Sequence, residues 1–373
     1  MEEPNYQVIY RKYRPQNFSE IVGQEHIVQT LTNALYSNRV AHAYLFTGPR
    51  GTGKTTIARL LAKAVNCLNR GEKSEPCNKC DVCQEINDGR ALDLIEIDAA
   101  SNRGIDEMRE LRDGIKFNPV RLKYKFFIID ECHMLTPPAF NALLKTLEEP
   151  PSYAIFVLAT TESHKVPETI ISRCQKFDFH KLNFNQIIER LKQIAKKEKV
   201  DIERDALQIV ASNAEGAMRD AESLFGQIMA IGAMAEDGKI TSEEVKTFLG
   251  VTDNSALVDM VNCLANKDAG AAINFLNKII EGGYDIEQFA KSLINYLRKI
   301  MIMKVDISLA KIVAPEFTEE QTRVVINQIE KFSESDLLKI IRLLISASNE
   351  MKFSSFAQLP LELAIVEFIC KNE

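Results

Sequence analysis

Short apolar runs rich in β-branched residues, each bounded by polar stretches, recur through the first half of the chain. They fall at Ala43 to Phe46, Leu92 to Ile97, Phe126 to Ile129, Ala154 to Leu158 and, more weakly, Lys176 to Phe179. Between them lie stretches with helical spacing, such as Thr55 to Val65 and Pro138 to Leu147. Strands that alternate with helices predict a mostly parallel sheet with helices on both faces, because a parallel connection needs a crossover. This α/β region is predicted to end near His180. From Asn183 onward the pattern changes period, with apolar residues three and four apart at Ile187, Leu191 and Ile194 and at Ala206, Ile209 and Val210. That spacing predicts helices throughout the remainder. Two helix starts are marked by capping boxes, Thr241-Ser242-Glu243-Glu244 and Thr318-Glu319-Glu320-Gln321, in which hydroxyl and carboxylate or amide satisfy each other's free backbone donors. A break near Gly250 to Ser255 separates a small helical unit from a larger one. The expected division is an α/β domain over residues 1–181, a small helical domain over 182–249 and an all-helical domain over 250–373.

Composition narrows the class. At 373 residues, with 46% hydrophobic and 26% charged side chains, the chain can build two or three cores. No run approaches the roughly 20 consecutive apolar residues of a membrane span. The start, Met1-Glu2-Glu3-Pro4-Asn5-Tyr6, lacks the basic-then-apolar order of a secretory signal, so a cytoplasmic protein with no membrane partner is expected. The formal charge of -6 argues against coating nucleic acid by bulk electrostatics, so any DNA contact must be local.

The chemistry begins at Gly48-Pro49-Arg50-Gly51-Thr52-Gly53-Lys54-Thr55-Thr56, which fits GxxxxGK[ST] and sits between a predicted strand and a predicted helix. Glycines let backbone amides turn toward phosphate oxygens, the helix N-terminus adds positive potential, Lys54 reaches the terminal phosphates and Thr55 ligates Mg²⁺. The apolar strand Phe126 to Ile129 ends in Asp130-Glu131. Asp130 is placed to hold Mg²⁺ and Glu131 to polarise an attacking water, a division of labour suited to phosphoryl transfer. Thr160 and Thr161 close the next strand, expected beside that of Asp130, where either hydroxyl can meet the γ-phosphate or the water; an ordinary strand-end turn is the alternative. Arg173 in Ser172-Arg173-Cys174 and Arg219 in Ala217-Met218-Arg219-Asp220 are candidate planar cations for a γ-phosphate, one of them supplied from a neighbouring subunit.

Cys67, Cys77, Cys80 and Cys83 follow the spacing C-x9-C-x2-C-x2-C. Four clustered thiolates match a closed, structural Zn²⁺ site, with a redox C-x-x-C pair as the rival reading. Cys132, Cys174, Cys263 and Cys370 read as isolated small buried hydrophobes or inert thiols, and the five histidines, among them His133 and His164, as structural.

Together these residues resemble the gamma/tau family of bacterial DNA polymerase III, the motor subunits of the sliding-clamp loader. Besides the motifs above, the likeness rests on Tyr10-Arg11-Lys12-Tyr13-Arg14-Pro15-Gln16-Asn17-Phe18 with Ile21-Val22-Gly23-Gln24-Glu25, and on Asn141-Ala142-Leu143-Leu144-Lys145-Thr146-Leu147-Glu148-Glu149-Pro150-Pro151. The resemblance covers the chain from about Tyr6 to its end. It implies an AAA+ P-loop domain with a zinc module inserted at 67–83, a helical lid and an all-α C-terminal collar that fixes the oligomer. It also implies an ATPase that uses ATP, Mg²⁺ and Zn²⁺ and carries no polymerisation itself. Arg14 and Val22 would meet the adenine, Thr160 or Thr161 would be sensor 1, Arg219 sensor 2 and Arg173 the trans-acting finger. Arg103 and Arg109 would face DNA. The implied partners are delta, delta-prime and further copies of the same chain in a hetero-oligomeric, pentameric ring, with the sliding clamp and primer-template DNA. The chain ends where a shorter, gamma-like form would. Two rivals are a non-hydrolysing delta-prime-like scaffold, disfavoured by the intact Lys54, Thr55, Asp130 and Glu131, and another AAA+ DNA-processing motor, disfavoured by the cysteine module.

Overall fold

The five predicted strands form one sheet. They are β1 (Ala43–Thr47), β2 (Leu94–Asp98), β3 (Lys125–Asp130), β4 (Ala154–Thr160) and β5 (Gln175–Asp178). Their order is β2-β3-β4-β1-β5 and every neighbour pair is parallel. This is a computed structural model that describes residues 7–71, 74–102, 104–232, 239–249, 254–314, 317 and 319–370. The chain divides into two compact units, Met1–Val200 with Val210–Ala233, and Asp201–Ile209 with Met234–Glu373.

In the first unit, β1 and β4 are buried along their whole length, and β3 up to its last residue. Alternation along each strand sends side chains to opposite faces. Tyr44, Phe46, Phe126, Ile128 and Val157 pack with Ile27, Leu31, Ile57 and Leu61 on one side. Leu45, Phe127, Ile129, Phe156 and Leu158 pack with Met108, Leu111, Leu143 and Leu147 on the other, where Phe127 and Phe156 stack at 5.0 Å between ring centroids. Two apolar faces in parallel strands explain why these segments read as near-continuous hydrophobic runs. β2 starts later than expected: Leu92 is 74% exposed and lies in the turn that precedes the strand. Helix Phe184–Glu198 opens on a further capping box, Asn183 with Gln186.

The second unit is not wholly helical. Asp201–Ile202 and Lys239–Ile240 pair as two-residue parallel strands, too short to leave a periodic signal. Thr241 and Glu244 form the expected reciprocal cap, with bonds of 2.8 and 3.4 Å. Of the second expected box, Thr318 lies outside the described residues, as do residues 250–253 of the expected inter-domain break. The six helices from Asn254–Ala265 to Leu359–Cys370 of eight residues or more share one core built on Met260, Leu276, Phe289, Leu293, Leu297, Ile340, Leu344 and Phe368. Its polar members are paired. Tyr296 donates to Gln328 at 2.9 Å, and Gln328 donates to the Val258 carbonyl and the Asn262 side chain, each at 3.0 Å. Among the described residues no helix is long and apolar enough to cross a membrane.

Candidate functional site

β1 ends at Thr47, and the chain then curls through residues 48–53 before helix Lys54–Asn66 begins. The curl needs glycine at three points: Gly48, Gly51 and Gly53 have φ of 139, 75 and 99°. Space matters as well as conformation. A Cβ on Gly48 would stand 2.3 Å from the Phe179 carbonyl oxygen, and one on Gly51 would stand 2.9 Å from the Ala217 Cβ. Gly48→Ala is therefore expected to cost about 2 kcal/mol or more, because strain and a backbone clash coincide; urea unfolding would show it as a lower midpoint at unchanged slope. Thr52 Oγ1 donates to the Pro49 carbonyl at 2.8 Å and stiffens the loop.

Lys54 is only 6% exposed, and its Nζ donates to the carbonyls of Gly48 and Pro49 at 2.7 and 2.8 Å. Burial pulls its ammonium below the usual lysine range, against the opposing fields of Glu131 and Asp130. Thr55, on the first turn of the helix, donates to Asp130 Oδ2 at 2.7 Å. The C-terminal edge of the sheet thus brings the loop and the carboxylate strand together across 75 residues. Arg50 is exposed at the loop tip, while Pro49 and Thr56 are partly exposed.

Glu131 leaves β3 in a left-handed conformation, φ 47 and ψ 43°, uncommon for a residue with a side chain. Its Oε2 accepts from Thr161 Oγ1 at 3.0 Å. Thr160 plays a different part from its neighbour. It is fully buried at the end of β4, and its hydroxyl lies 3.0 Å from His133 Nδ1 and accepts from the Glu162 amide at 3.0 Å. His133 also stands 3.4 Å from Glu131 Oε2 and 3.4 Å from Glu162 Oε2. Two positions beyond Glu131, His133 thus stands between the general-base candidate and Thr160 at the end of β4. A histidine that follows an acidic strand tip at that spacing was the available signal.

Arg219 opens helix Met218–Gly232, and its amide donates to the Gly51 carbonyl at 3.4 Å. Its guanidinium lies 4.9 Å from the centre of the Tyr10 ring, a cation–π contact that the sequence did not announce. Arg14 is partly buried; burial, with the Arg59 guanidinium nearby, pulls it below the usual arginine value. Val22 is partly exposed, and beside it the fully buried Gln24 side chain exchanges bonds of 2.7 and 3.2 Å with the backbone of His180.

Arg173 is not brought into this group. It precedes β5, whose first residue, Gln175, is level with Tyr44 near the start of β1, whereas the phosphate loop follows the end of β1. Its guanidinium, 33% exposed, bonds to Glu148 at 2.6 Å and to the Thr169 carbonyl at 2.7 Å. Arg109 is exposed on helix Ile105–Ile115, and Arg103 lies outside the described residues.

Cys67 ends the phosphate-loop helix, and Cys77, Cys80 and Cys83 come back to it. The four sulfur atoms lie within 4.8 Å of one another. Tetrahedral coordination at about 2.3 Å requires sulfurs about 3.8 Å apart, so the cage fits a zinc ion with little adjustment. The Lys79 and Cys80 amides point at the Cys77 sulfur, and these bonds hold its thiol down at about 6. Of the other thiols only Cys132 is buried; Cys174 and Cys263 are partly exposed and Cys370 is exposed, so the buried alternative holds for Cys132 alone.

Three family models match successive parts of the chain: "DNA polymerase III, delta subunit" over residues 23–183, "DNA polymerase III clamp loader subunit, ATPase lid domain" over 186–234, and "DNA polymerase III subunits gamma and tau domain III" over 240–372. The chain is 43% identical to DNA polymerase III subunit tau of Bacillus subtilis, a match over 99% of this chain and 64% of that protein. It is 39% identical to DNA polymerase III subunit gamma of Buchnera aphidicola from Acyrthosiphon pisum, over 98% of this chain and 99% of that protein. It therefore spans a little under two thirds of the Bacillus relative and nearly all of the Buchnera one. Among solved structures, a RuvB variant of Thermotoga maritima superposes with a TM-score of 0.50 at 19% identity, over 67% of this chain and 79% of that one, a likeness of fold alone.

Proposed function

Since the chain belongs to the gamma/tau family of DNA polymerase III subunits, we propose that it is an ATP-driven motor of a clamp loader, which binds and hydrolyses ATP to open a sliding clamp and load it on primed DNA. The observation that carries this reading is the 2.7 Å bond from Thr55 to Asp130, which joins the phosphate loop to the carboxylate strand close to Lys54 and Glu131. A structural glycine turn has no need of that convergence.

In this reading Lys54 exchanges its two loop carbonyls for the β- and γ-phosphates, and the backbone amides of residues 50–55 cradle the oxygens. Thr55 and Asp130 hold magnesium, which neutralises charge on the phosphates. Glu131 orients water for attack, held in place by Thr161, while Thr160 and His133 stiffen the base of the site. Thr161 is the better placed of the two threonines to sense the γ-phosphate, because the Thr160 hydroxyl is already engaged twice. Arg219 reports on the phosphates from the lid, and Arg14 and Val22 line the base side. Cys67, Cys77, Cys80 and Cys83 hold a structural zinc ion. Arg173 serves the nucleotide of the neighbouring subunit.

We assign the domain roles as an α/β motor over 1–181, a lid over 182–249 and a collar over 250–373. The collar role is supported by apolar side chains left in solvent on its last two helices, Leu338 and Ile345 on Glu334–Met351 and Leu359, Leu363 and Val366 on Leu359–Cys370, all at least 41% exposed. Such stripes mark protein–protein contact, here with other loader subunits and further copies in a ring. As a switch, ATP must favour the tight assembly by several kcal/mol, since a ligand shifts an equilibrium only by its differential affinity.

The test is ATP hydrolysis by the assembled loader, with and without clamp and primed DNA, for wild type and Lys54→Ala. Wild-type hydrolysis is expected to rise with both ligands, and the variant is expected to lose nucleotide binding and the stimulated rate together. A variant that hydrolyses ATP at the wild-type rate would sink the reading.

A further inference from the structure

The chain segment from Tyr10 to Glu20 runs as a strap beside the phosphate-loop helix, and its ties are unequal in kind. At its start the ties go to one helix, Phe184–Glu198: Arg190 Nη2 donates to the Tyr13 carbonyl at 2.7 Å, and Lys12 pairs with Glu198 at 2.6 Å. At its end they go to the cysteine module. The Glu75 carboxylate accepts the backbone amides of Phe18 and Ser19 at 2.7 and 2.8 Å, a two-armed grip that ordinary loop contacts seldom make. Asn78, in a left-handed conformation between Cys77 and Cys80, donates to the Gln16 carbonyl at 3.2 Å and to Asn17 Oδ1 at 2.7 Å.

Beneath these contacts lies Lys63, 2% exposed on the phosphate-loop helix. A buried ammonium is costly unless all three donors are used. They are: Lys63 Nζ bonds to Asn78 Oδ1 at 2.5 Å, Gln16 Oε1 at 2.7 Å and Asn87 Oδ1 at 2.8 Å. Gln16 passes the tie on, because its Nε2 donates to the Arg14 carbonyl at 3.1 Å. The last link of this chain is Arg14, the residue proposed above to meet the base.

We propose that the cysteine module is the anchor of the nucleotide's base-side strap, and that Glu75, Asn78 and Lys63 are positioning residues that set Arg14 through Gln16. This rests on the readings of Arg14 as a base-side contact and of the four cysteines as zinc ligands. It gives a module remote from the phosphates a reason to be inserted directly after the phosphate-loop helix: the fold of the cage is converted into the position of a ligand contact. Nucleotide affinity then depends on an intact cage although no cysteine touches nucleotide.

The test uses zinc-loaded protein, with metal content measured on every variant. Glu75→Ala is expected to speed amide hydrogen exchange at Phe18 and Ser19 and to weaken binding of a fluorescent ATP analogue, each about tenfold, with zinc retained. Gln16→Ala with Asn17→Ala removes from the strap side the side-chain ties to Lys63, Asn78 and Arg14 and leaves the cage's own residues unchanged; the same loss of nucleotide affinity is expected, so the test stands even where Glu75→Ala loses metal. Unchanged exchange in both variants, or faster exchange at unchanged affinity, overturns the proposal. Arg14→Ala separates the two readings. If it loses affinity while the strap variants keep theirs, the base-side reading stands and the anchor falls; if it binds as wild type does, the base-side reading fails and the anchor falls with it.

Discussion

Glu131→Gln is expected to bind ATP nearly as tightly as wild type and to hydrolyse it about a hundred- to ten-thousandfold more slowly, the range that a positioned general base contributes. The geometry favours a clean result. Glutamine keeps the length and an oxygen for the Thr161 hydroxyl, now 3.0 Å from Glu131 Oε2, and any residue with the same side-chain shape can keep the left-handed backbone already in place. What it removes is the negative charge that draws a proton from water. Lys54 loses one opposing field but retains that of Asp130, so phosphate binding has no reason to collapse. Binding would be read from a fluorescent nucleotide and hydrolysis from phosphate release under single-turnover conditions, which separates chemistry from product departure. Near-wild-type hydrolysis would remove Glu131 from the base role and leave His133, 3.4 Å away, as the next candidate.

Legibility from the sequence followed physical lines. The phosphate loop was readable because three constraints coincide on few residues: positive φ at Gly48, Gly51 and Gly53, a lysine at fixed offset, and a strand before and a helix after. The central strands β1, β3 and β4 were readable because burial on both faces forces unbroken apolar runs, whereas the edge strands β2 and β5 are more exposed and left a weaker signal. The cysteine cage was readable because thiols so spaced have few other reasons to cluster. What stayed hidden depended on tertiary proximity of residues with no local signature. His133 serves the site only because β4 lies beside β3 and presents Thr160 to its ring. Tyr10 meets Arg219 across more than half the chain, and the grip of Glu75 on Phe18 and Ser19 uses backbone donors, which every sequence has. The strand pair Asp201–Ile202 and Lys239–Ile240 was missed for the opposite reason, since two residues cannot establish a period of two.

Arg173→Ala should have the larger effect on assembled protein and almost none on the isolated chain. An arginine finger contributes about three to five orders of magnitude to phosphoryl transfer, so the clamp- and DNA-stimulated rate is expected to fall about a thousandfold or more. Its own subunit cannot receive the benefit. From the level of Gln175 to that of Asp178 the sheet advances three residues, roughly 10 Å along the strands, and the phosphate loop lies beyond that end while Arg173 precedes the other. The guanidinium is nonetheless free to leave its present partner, because a half-exposed pair such as Arg173 with Glu148 is worth at most about 1 kcal/mol. Mixing makes the claim decisive. Arg173→Ala chains keep a working pocket, and Lys54→Ala chains keep a working finger. Each variant alone is expected to be inactive in a loader, whereas a mixture places some intact pockets beside intact fingers and should recover a measurable part of the stimulated rate. Recovery requires that pocket and finger act from different chains. A mixture no more active than its components, or an Arg173→Ala protein stimulated as wild type is, would show that the arginine does not act across a subunit seam.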